Sequence, residues 1–241
     1  TATTEIYTLS LHDALPISLF GLNWQRKKVS FKQMLKDSWN NILSMEKEKL
    51  LKAREWVQKE LASSAEFWLK YGMDKEHGGV YTCIDRTGRL FSTDKSVWMQ
   101  GRCGWTYAYL CHVYGKRDEW MQASKSCLDF MEKYCINREA GDRMYFTVTA
   151  DGKPLRQRRY CFSEGFYALA NAEYYGLTGE REYLERARRA YELIWNLNNG
   201  LIKDPTGMGP KTIPETRTGR APAIVRQLRL RHLYRLMELD V

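Results

Sequence analysis

The residues best suited to chemistry cluster in Val97-Trp-Met-Gln-Gly-Arg-Cys-Gly-Trp105. Arg102 is the only charge in that run, and Trp98, Arg102 and Trp105 are spaced four and three residues apart. On a helix this spacing puts them on one face. A charge among aromatic and small residues must either find a counter-ion or look into a wet cavity. Two readings follow: a guanidinium buried in an ion pair, or one that donates to sugar hydroxyls between aromatic platforms. Gln100 falls on a different face.

Glu164, in Tyr160-Cys-Phe-Ser-Glu-Gly-Phe-Tyr167, is the acid at the start of the next aromatic-rich helix. It is expected to pair with Arg102 or to sit as a carboxylate at a helix start. A general acid or base there would need a raised pKa. His77 adjoins a Gly-Gly turn, and His112 is read as a packed histidine. No His-x-x-x-His, His-Glu-x-x-His or Cys/His spacing suggests a metal, and no glycine-rich phosphate loop or Gly-x-Ser-x-Gly elbow is present.

These residues need helices to hold them. Leu50, Leu51, Trp56, Val57, Leu61, Phe67 and Trp68 recur at helical spacing, which predicts a helix from Met45 to near Gly72. Further helices are predicted over 95–114, 118–135, 160–177 and 180–197. Val80–Asp85 with Leu90-Phe91 reads as a hairpin, and Met144–Thr149 with Ala150-Asp-Gly-Lys-Pro154 as a strand and turn. Gly115–Met131 aligns with Thr178–Ile194 at an offset of 63 residues. Helical hairpins repeated this way need neighbours to bury their inner faces, and they stack as a solenoid or close as a toroid. The long β-containing connections favour the toroid.

Composition bounds the rest. The 241 residues are 44 % hydrophobic and 13 % aromatic, enough for a real core and too apolar for disorder. No window is long and apolar enough for a membrane span. Six cysteines (83, 103, 111, 127, 135 and 161) contain no Cys-x-x-Cys pair, which predicts reduced thiols in a cytoplasmic protein. The net charge of +9 is concentrated in the ends: residues 217–241 carry six Arg against Glu238 and Asp240. A nucleic-acid binder would place that charge on its folded domain, so nucleic acid is not an expected partner.

Both ends look foreign to the middle. Residues 1–17, TATTEIYTLSLHDALPI, are the translation of a DNA string that resembles a short-read sequencing adapter, so His12 and Asp13 carry no functional reading. Residues 1–44 are expected to be a non-native or unstructured leader, although Gln33–Leu43 has helical character. Residues 45–217 are expected to be the folded part, and 218–241 a discordant basic tail.

Phe67-Trp68, Asp74-x-x-x-Gly78-Gly79, Asp85-x-x-Gly88, Asp94-Lys95 and Trp98-x-Gln100-x-Arg102-x-x-Trp105 resemble the N-terminal half of the N-acylglucosamine 2-epimerase family. Tyr145-Phe146, Asp151-Gly-Lys-Pro154, Ser163-Glu164-x-Phe166-Tyr167 and Ile213-Pro-Glu-Thr-Arg217 follow in the family's order. The resemblance implies an all-α, helical-hairpin toroid of the (α/α)6 barrel type, incomplete here, with short β-hairpin insertions. It implies an isomerase that interconverts N-acetylglucosamine with N-acetylmannosamine, or a related sugar, at C2. The family opens the ring, removes the proton beside the carbonyl and uses two histidines as base and acid, without metal or other cofactor. Arg102 matches the family's arginine at the barrel mouth, and Trp98, Trp105 and Glu164 are the other expected substrate-binding residues.

Both family histidines belong to the half of the toroid that would follow Arg217, and His232 in the discordant tail takes no role from them. The acid–base pair is therefore unassigned, and the chain alone is expected to be inactive. The expected partner is a small sugar, with a homodimer left open for a full-length protein and neither nucleic acid nor membrane involved. Competing readings are an (α/α)6 glycoside hydrolase or lyase, which would need paired carboxylates, and a non-catalytic helical-repeat binding protein.

Overall fold

A computed structural model describes residues 30–158 and 160–207. The adapter-like segment, the 213–217 motif, His232 and the basic tail lie outside the described residues. The described chain divides into two compact units between Lys59 and Glu60.

Helix α1 spans Phe31–Phe67. Its N-terminus is capped by Ser30, whose Oγ accepts from the Gln33 amide at 3.2 Å. The helical stretch around 33–43 and the helix expected from Met45 are thus one element. In the unit ending at Lys59, Trp39, Leu50 and Trp56 are exposed.

The unit from Glu60 onward takes in the last residues of α1, then a π-helical turn at Trp68–Gly72. The helices α2 (Val97–Tyr114), α3 (Asp118–Tyr134), α4 (Phe162–Thr178) and α5 (Arg181–Asn198) follow, close to their predicted bounds. α3 and α5 are the repeated pair. Each starts with acids in its first turn, Asp118 and Glu119 in α3 and Glu182 in α5, which suits the positive end of a helix. Each buries one stripe: Trp120, Ala123, Cys127, Leu128 and Met131 on α3, and Tyr183, Leu184, Ala187 and Ala190 on α5.

α2 packs against both α3 and α4, and α4 against α5. α2 and α4 therefore lie side by side as an inner pair, backed by α3 and α5. The close approach depends on small residues. A Cβ on Gly101 would lie 2.6 Å from Phe166 Cβ and 2.9 Å from the Phe166 backbone carbon. On α4, one turn beyond Phe166, Ala170 faces Gly104 of α2, 3.6 Å from where a Cβ there would lie.

The connections ahead of α2 and α4 carry the strands. β1 (Cys83–Ile84) pairs antiparallel with β2 (Leu90–Ser92), the predicted hairpin. β5 (Arg143–Val148) is the hub of a second sheet, pairing with β3 (Lys95–Ser96), β4 (Ile136–Asn137) and β6 (Pro154–Gln157). The sequence reading assigned Lys95 to the helix; in the structure it forms the two-residue β3 instead. Pairing of β3 with β5 joins the two connections next to the N-terminal ends of α2 and α4.

A buried lysine fastens this junction. Lys95 is fully buried, and its Nζ donates to Asp74 Oδ2 at 2.6 Å, to the Gly78 carbonyl at 2.8 Å and to the Ala150 carbonyl at 3.0 Å. Asp74 also accepts from the Glu76 and His77 amides, which makes His77 the turn residue expected. Gln100, also fully buried, brackets Val80: its Oε1 accepts from the Val80 amide at 2.8 Å and its Nε2 donates to the Val80 carbonyl at 2.6 Å. Gly79, at φ +75°, is required there because a Cβ would fall 2.5 Å from Gln100 Oε1. The Asp74, Gly78-Gly79, Lys95 and Gln100 motif positions therefore act as loop anchors.

Candidate functional site

The N-terminal turns of α2 and α4 meet in a cluster of four rings. Trp98, from α2, packs edge-on against Phe146 of β5 and Phe162 of α4, each with centroids 5.0 Å away, and leans on Phe166 at 6.3 Å. Phe162 and Phe166 are one helical turn apart on α4, which is why both reach the same indole. The indole Nε1 is buried and has no acceptor among the described residues.

Arginines surround these rings. The Arg102 guanidinium lies 4.7 Å from the Phe166 centroid. Arg158 stacks on Phe146 at 4.1 Å, and Arg156 lies 6.0 Å from the same ring. Arg102 is exposed, four residues on from Trp98, and has no carboxylate partner among the described residues. Of the two sequence readings, the buried ion pair is overturned for Arg102. On its other side Arg102 borders a cavity of about 250 Å³ lined by Leu61, Ala65, Trp68, Val80 and Tyr107.

Glu164 has a different partner from the expected one. Its Oε1 accepts from Arg143 Nε at 2.7 Å and from the Met144 amide at 2.9 Å. Arg143 is fully buried, binds Asp204 through Nη1 and donates to the Arg158 carbonyl through Nη2. Complete burial pushes the Glu164 carboxyl above its usual range, against the pull of the Arg143 charge and the Met144 amide. The expectation of an Arg102–Glu164 pair is corrected: β5 places Arg143 against the first turn of α4, where its guanidinium takes the carboxylate, and Arg102 lies on Phe166 instead. Glu164 is indeed a helix-start carboxylate, but only 1 % exposed.

Trp105 is placed apart from the ring cluster. It stacks on Tyr109 at 4.9 Å, with ring planes 12° apart, and packs against the core. His112 is also elsewhere, with Nδ1 3.2 Å from Glu173 Oε1 and a side chain 57 % exposed, so it is not the packed histidine expected. Fourteen residues along α2 from Trp98, it lies about 20 Å from the rings.

Sequence reasoning missed Arg143, Arg156 and Arg158, and it used Phe146, Phe162 and Phe166 only as motif letters. The alternation Arg156-Gln157-Arg158 after a strand and turn was the available signal, since alternate residues share a strand face.

Together the cluster offers flat apolar surfaces and an exposed guanidinium that is unpaired among the described residues. Such a set can stack a sugar ring and donate hydrogen bonds to its oxygens. Among the described residues, no three His, Cys, Asp or Glu side chains come together as a metal site. No described helix is long and apolar enough to cross a membrane.

Comparison with known proteins agrees with this arrangement. A family model described as N-acylglucosamine 2-epimerase (GlcNAc 2-epimerase) matches residues 79–213. N-acylglucosamine 2-epimerase of Rattus norvegicus is 34 % identical over 169 residues, which cover 69 % of this chain and 40 % of the rat protein. The solved cellobiose 2-epimerase of Bacillus thermoamylovorans is 26 % identical, with a TM-score of 0.50 over 54 % of this chain and 33 % of its own. That of Spirochaeta thermophila shares the fold, with 24 % identity and a TM-score of 0.52 over 59 % of this chain and 36 % of its own. The chain thus spans about two fifths of the length of the curated relatives it matches. With its inner and outer helices, the fold is part of an (α/α)6 barrel, and the chain belongs to the N-acylglucosamine 2-epimerase family.

Proposed function

We propose that these residues form one wall of the sugar site of a carbohydrate 2-epimerase, an isomerase acting on an N-acylhexosamine or a related sugar by proton transfer at C2. The observation that carries this reading is Arg102: exposed, unpaired among the described residues and laid against the ring cluster at the ends of α2 and α4. The reaction belongs to a longer polypeptide that includes this segment, since the match spans two fifths of the relatives.

The chemistry assigns roles to the wall. Removing the C2 proton of the open-chain sugar leaves an enediolate, whose oxyanion needs a preorganised donor. The Arg102 guanidinium supplies that donor, and Trp98 with Phe166 gives the sugar a flat surface. A base takes the proton from one face of C2 and an acid returns one to the other, so nothing is oxidised or reduced overall. That pair must titrate near neutral pH, which suits histidine. His77 is bound into a turn and His112 stands far along α2, so the pair comes from outside the described residues. The substrate is a small sugar and the compartment the cytoplasm, in keeping with cysteines that are all free among the described residues.

A glycoside hydrolase would need two carboxylates facing one bond; Glu164 is committed to Arg143, and no second acid contacts the rings among the described residues. The test is exchange of the C2 proton of N-acetylmannosamine in D2O, followed by NMR, in the full-length protein. Wild type should exchange, and Arg102→Ala should lose on the order of 100-fold or more. Full exchange by Arg102→Ala would overturn the assignment.

A further inference from the structure

We propose that Phe166 is a positioning residue for the reaction: its ring holds the Arg102 guanidinium where the enediolate oxyanion forms. The inference rests on the reading of Arg102 as the oxyanion donor and adds a residue that acts through it.

Three observations carry it. First, the Arg102 guanidinium lies 4.7 Å from the Phe166 centroid, at an exposed position with no carboxylate partner among the described residues. Glu164, the acid expected to fix it, serves Arg143. Second, the ring is itself held. Gly101, the neighbour of Arg102 on α2, comes so close that a Cβ would fall 2.6 Å from Phe166 Cβ, so helix packing sets the base of the side chain. Third, Trp98 leans on the same ring at 6.3 Å and is wedged in turn by Phe146 and Phe162. From α4, Phe166 thus touches two residues one helical turn apart on α2.

Arginine is long and loses much rotamer freedom when it is fixed, whereas an oxyanion donor works best when it is placed before the reaction. An acid would place the guanidinium by occupying its N–H groups and cancelling its charge. A ring face attracts the cation and leaves both the charge and the N–H donors to a substrate oxygen. Arg143 shows the opposite case, with its guanidinium committed to Glu164, Asp204 and the Arg158 carbonyl. The arginine that holds the fold is fixed by acids, and the arginine that meets the sugar by a ring.

Phe166 also offers the sugar a surface, and kinetics separate the two roles: lost surface raises KM, whereas a misplaced guanidinium lowers kcat. The test is C2-proton exchange of N-acetylmannosamine in D2O by the full-length protein, followed over a range of sugar concentrations. Phe166→Leu and Phe166→Met, two apolar side chains without a ring, should each lower kcat about tenfold. Phe166→Tyr keeps a ring face and should recover kcat to within about threefold of wild type. In an Arg102→Ala background, where long incubation keeps slow exchange measurable, Phe166→Leu should change kcat by less than about twofold, because the ring has nothing left to hold. A wild-type kcat in the ring-less variants, whatever happens to KM, would overturn the positioning role and leave Arg102 as the donor. So would the same tenfold loss in the Arg102→Ala background, or a Phe166→Tyr enzyme as slow as Phe166→Leu. Full exchange by Arg102→Ala alone would instead overturn the sugar-site reading, and this role with it.

Discussion

Glu164 lies at the start of α4 and gives its carboxylate to Arg143 of β5, 2.7 Å away, leaving Arg102 of α2 without an acid among the described residues. Both members of that pair are buried to 1 % exposure or less. Removing one partner of a buried pair strands the other charge, at about 3–5 kcal/mol. Arg143→Met should therefore lower unfolding free energy by that order in urea titration. Arg102→Ala, at an exposed position, should change it by less than about 1 kcal/mol. Equal losses would mean that Arg102 is structural.

The Lys95–Asp74 pair makes a similar prediction about loops. Lys95→Met leaves Asp74 and two carbonyls without their donor, so stability should fall by about 3–5 kcal/mol. Amide exchange should rise over the 74–80 turn and around Ala150, while the centre of α3 keeps its protection. Uniform loss of protection would contradict the role of Lys95 as a local clamp.

Packing of α2 on α4 separates two glycines. Gly101→Ala would push a methyl into Phe166 Cβ and backbone, costing about 1–3 kcal/mol. Gly104→Ala meets Cys127 and Ala170 Cβ at 3.5 and 3.6 Å, ordinary contact, and gains up to about 1 kcal/mol of helix propensity. Thermal melts of the two variants should move in opposite directions.

Acid should loosen the connections before the helices. Hydrogen bonds from the Thr87 hydroxyl and from the Arg89 and Thr87 amides hold the Asp85 carboxyl down to about 2. Asp74 also sits below its usual value: burial raises it, but Lys95 and the Glu76 and His77 amides outweigh that effect. For both groups the unfolded chain binds the proton more readily. Their stabilisation is therefore present above the ordinary carboxylate value of 3.8 and is lost as pH falls below it, for Asp85 down toward about 2. A pH titration of the melting temperature should show that drop, reduced in Asp85→Asn.

The helices were legible because α3 and α5 each bury one stripe at helical spacing and repeat at a fixed offset. Two-residue strands such as β3 were not, because nothing local distinguishes Lys95-Ser96 from a helix start; its partner Thr147-Val148 lies some fifty residues on. The same non-locality hid the partner of Glu164. Arg102 and Arg143 were both eligible by charge, and only the path of β5 chose between them. Arg102 and Trp98 could be read because their spacing is local, whereas Trp105 shares their helix face but is drawn onto Tyr109.

The central claim is that Trp98 and Arg102 form a sugar-binding wall, and the indole N–H of Trp98 reports on it directly. In ¹H–¹⁵N spectra, the indole peak missing from Trp98→Phe should shift as N-acetylmannosamine is added, and Arg102→Ala should abolish the shift while leaving the spectrum folded. A Trp98 indole peak that stays fixed at saturating sugar, or that shifts equally in Arg102→Ala, would contradict the account.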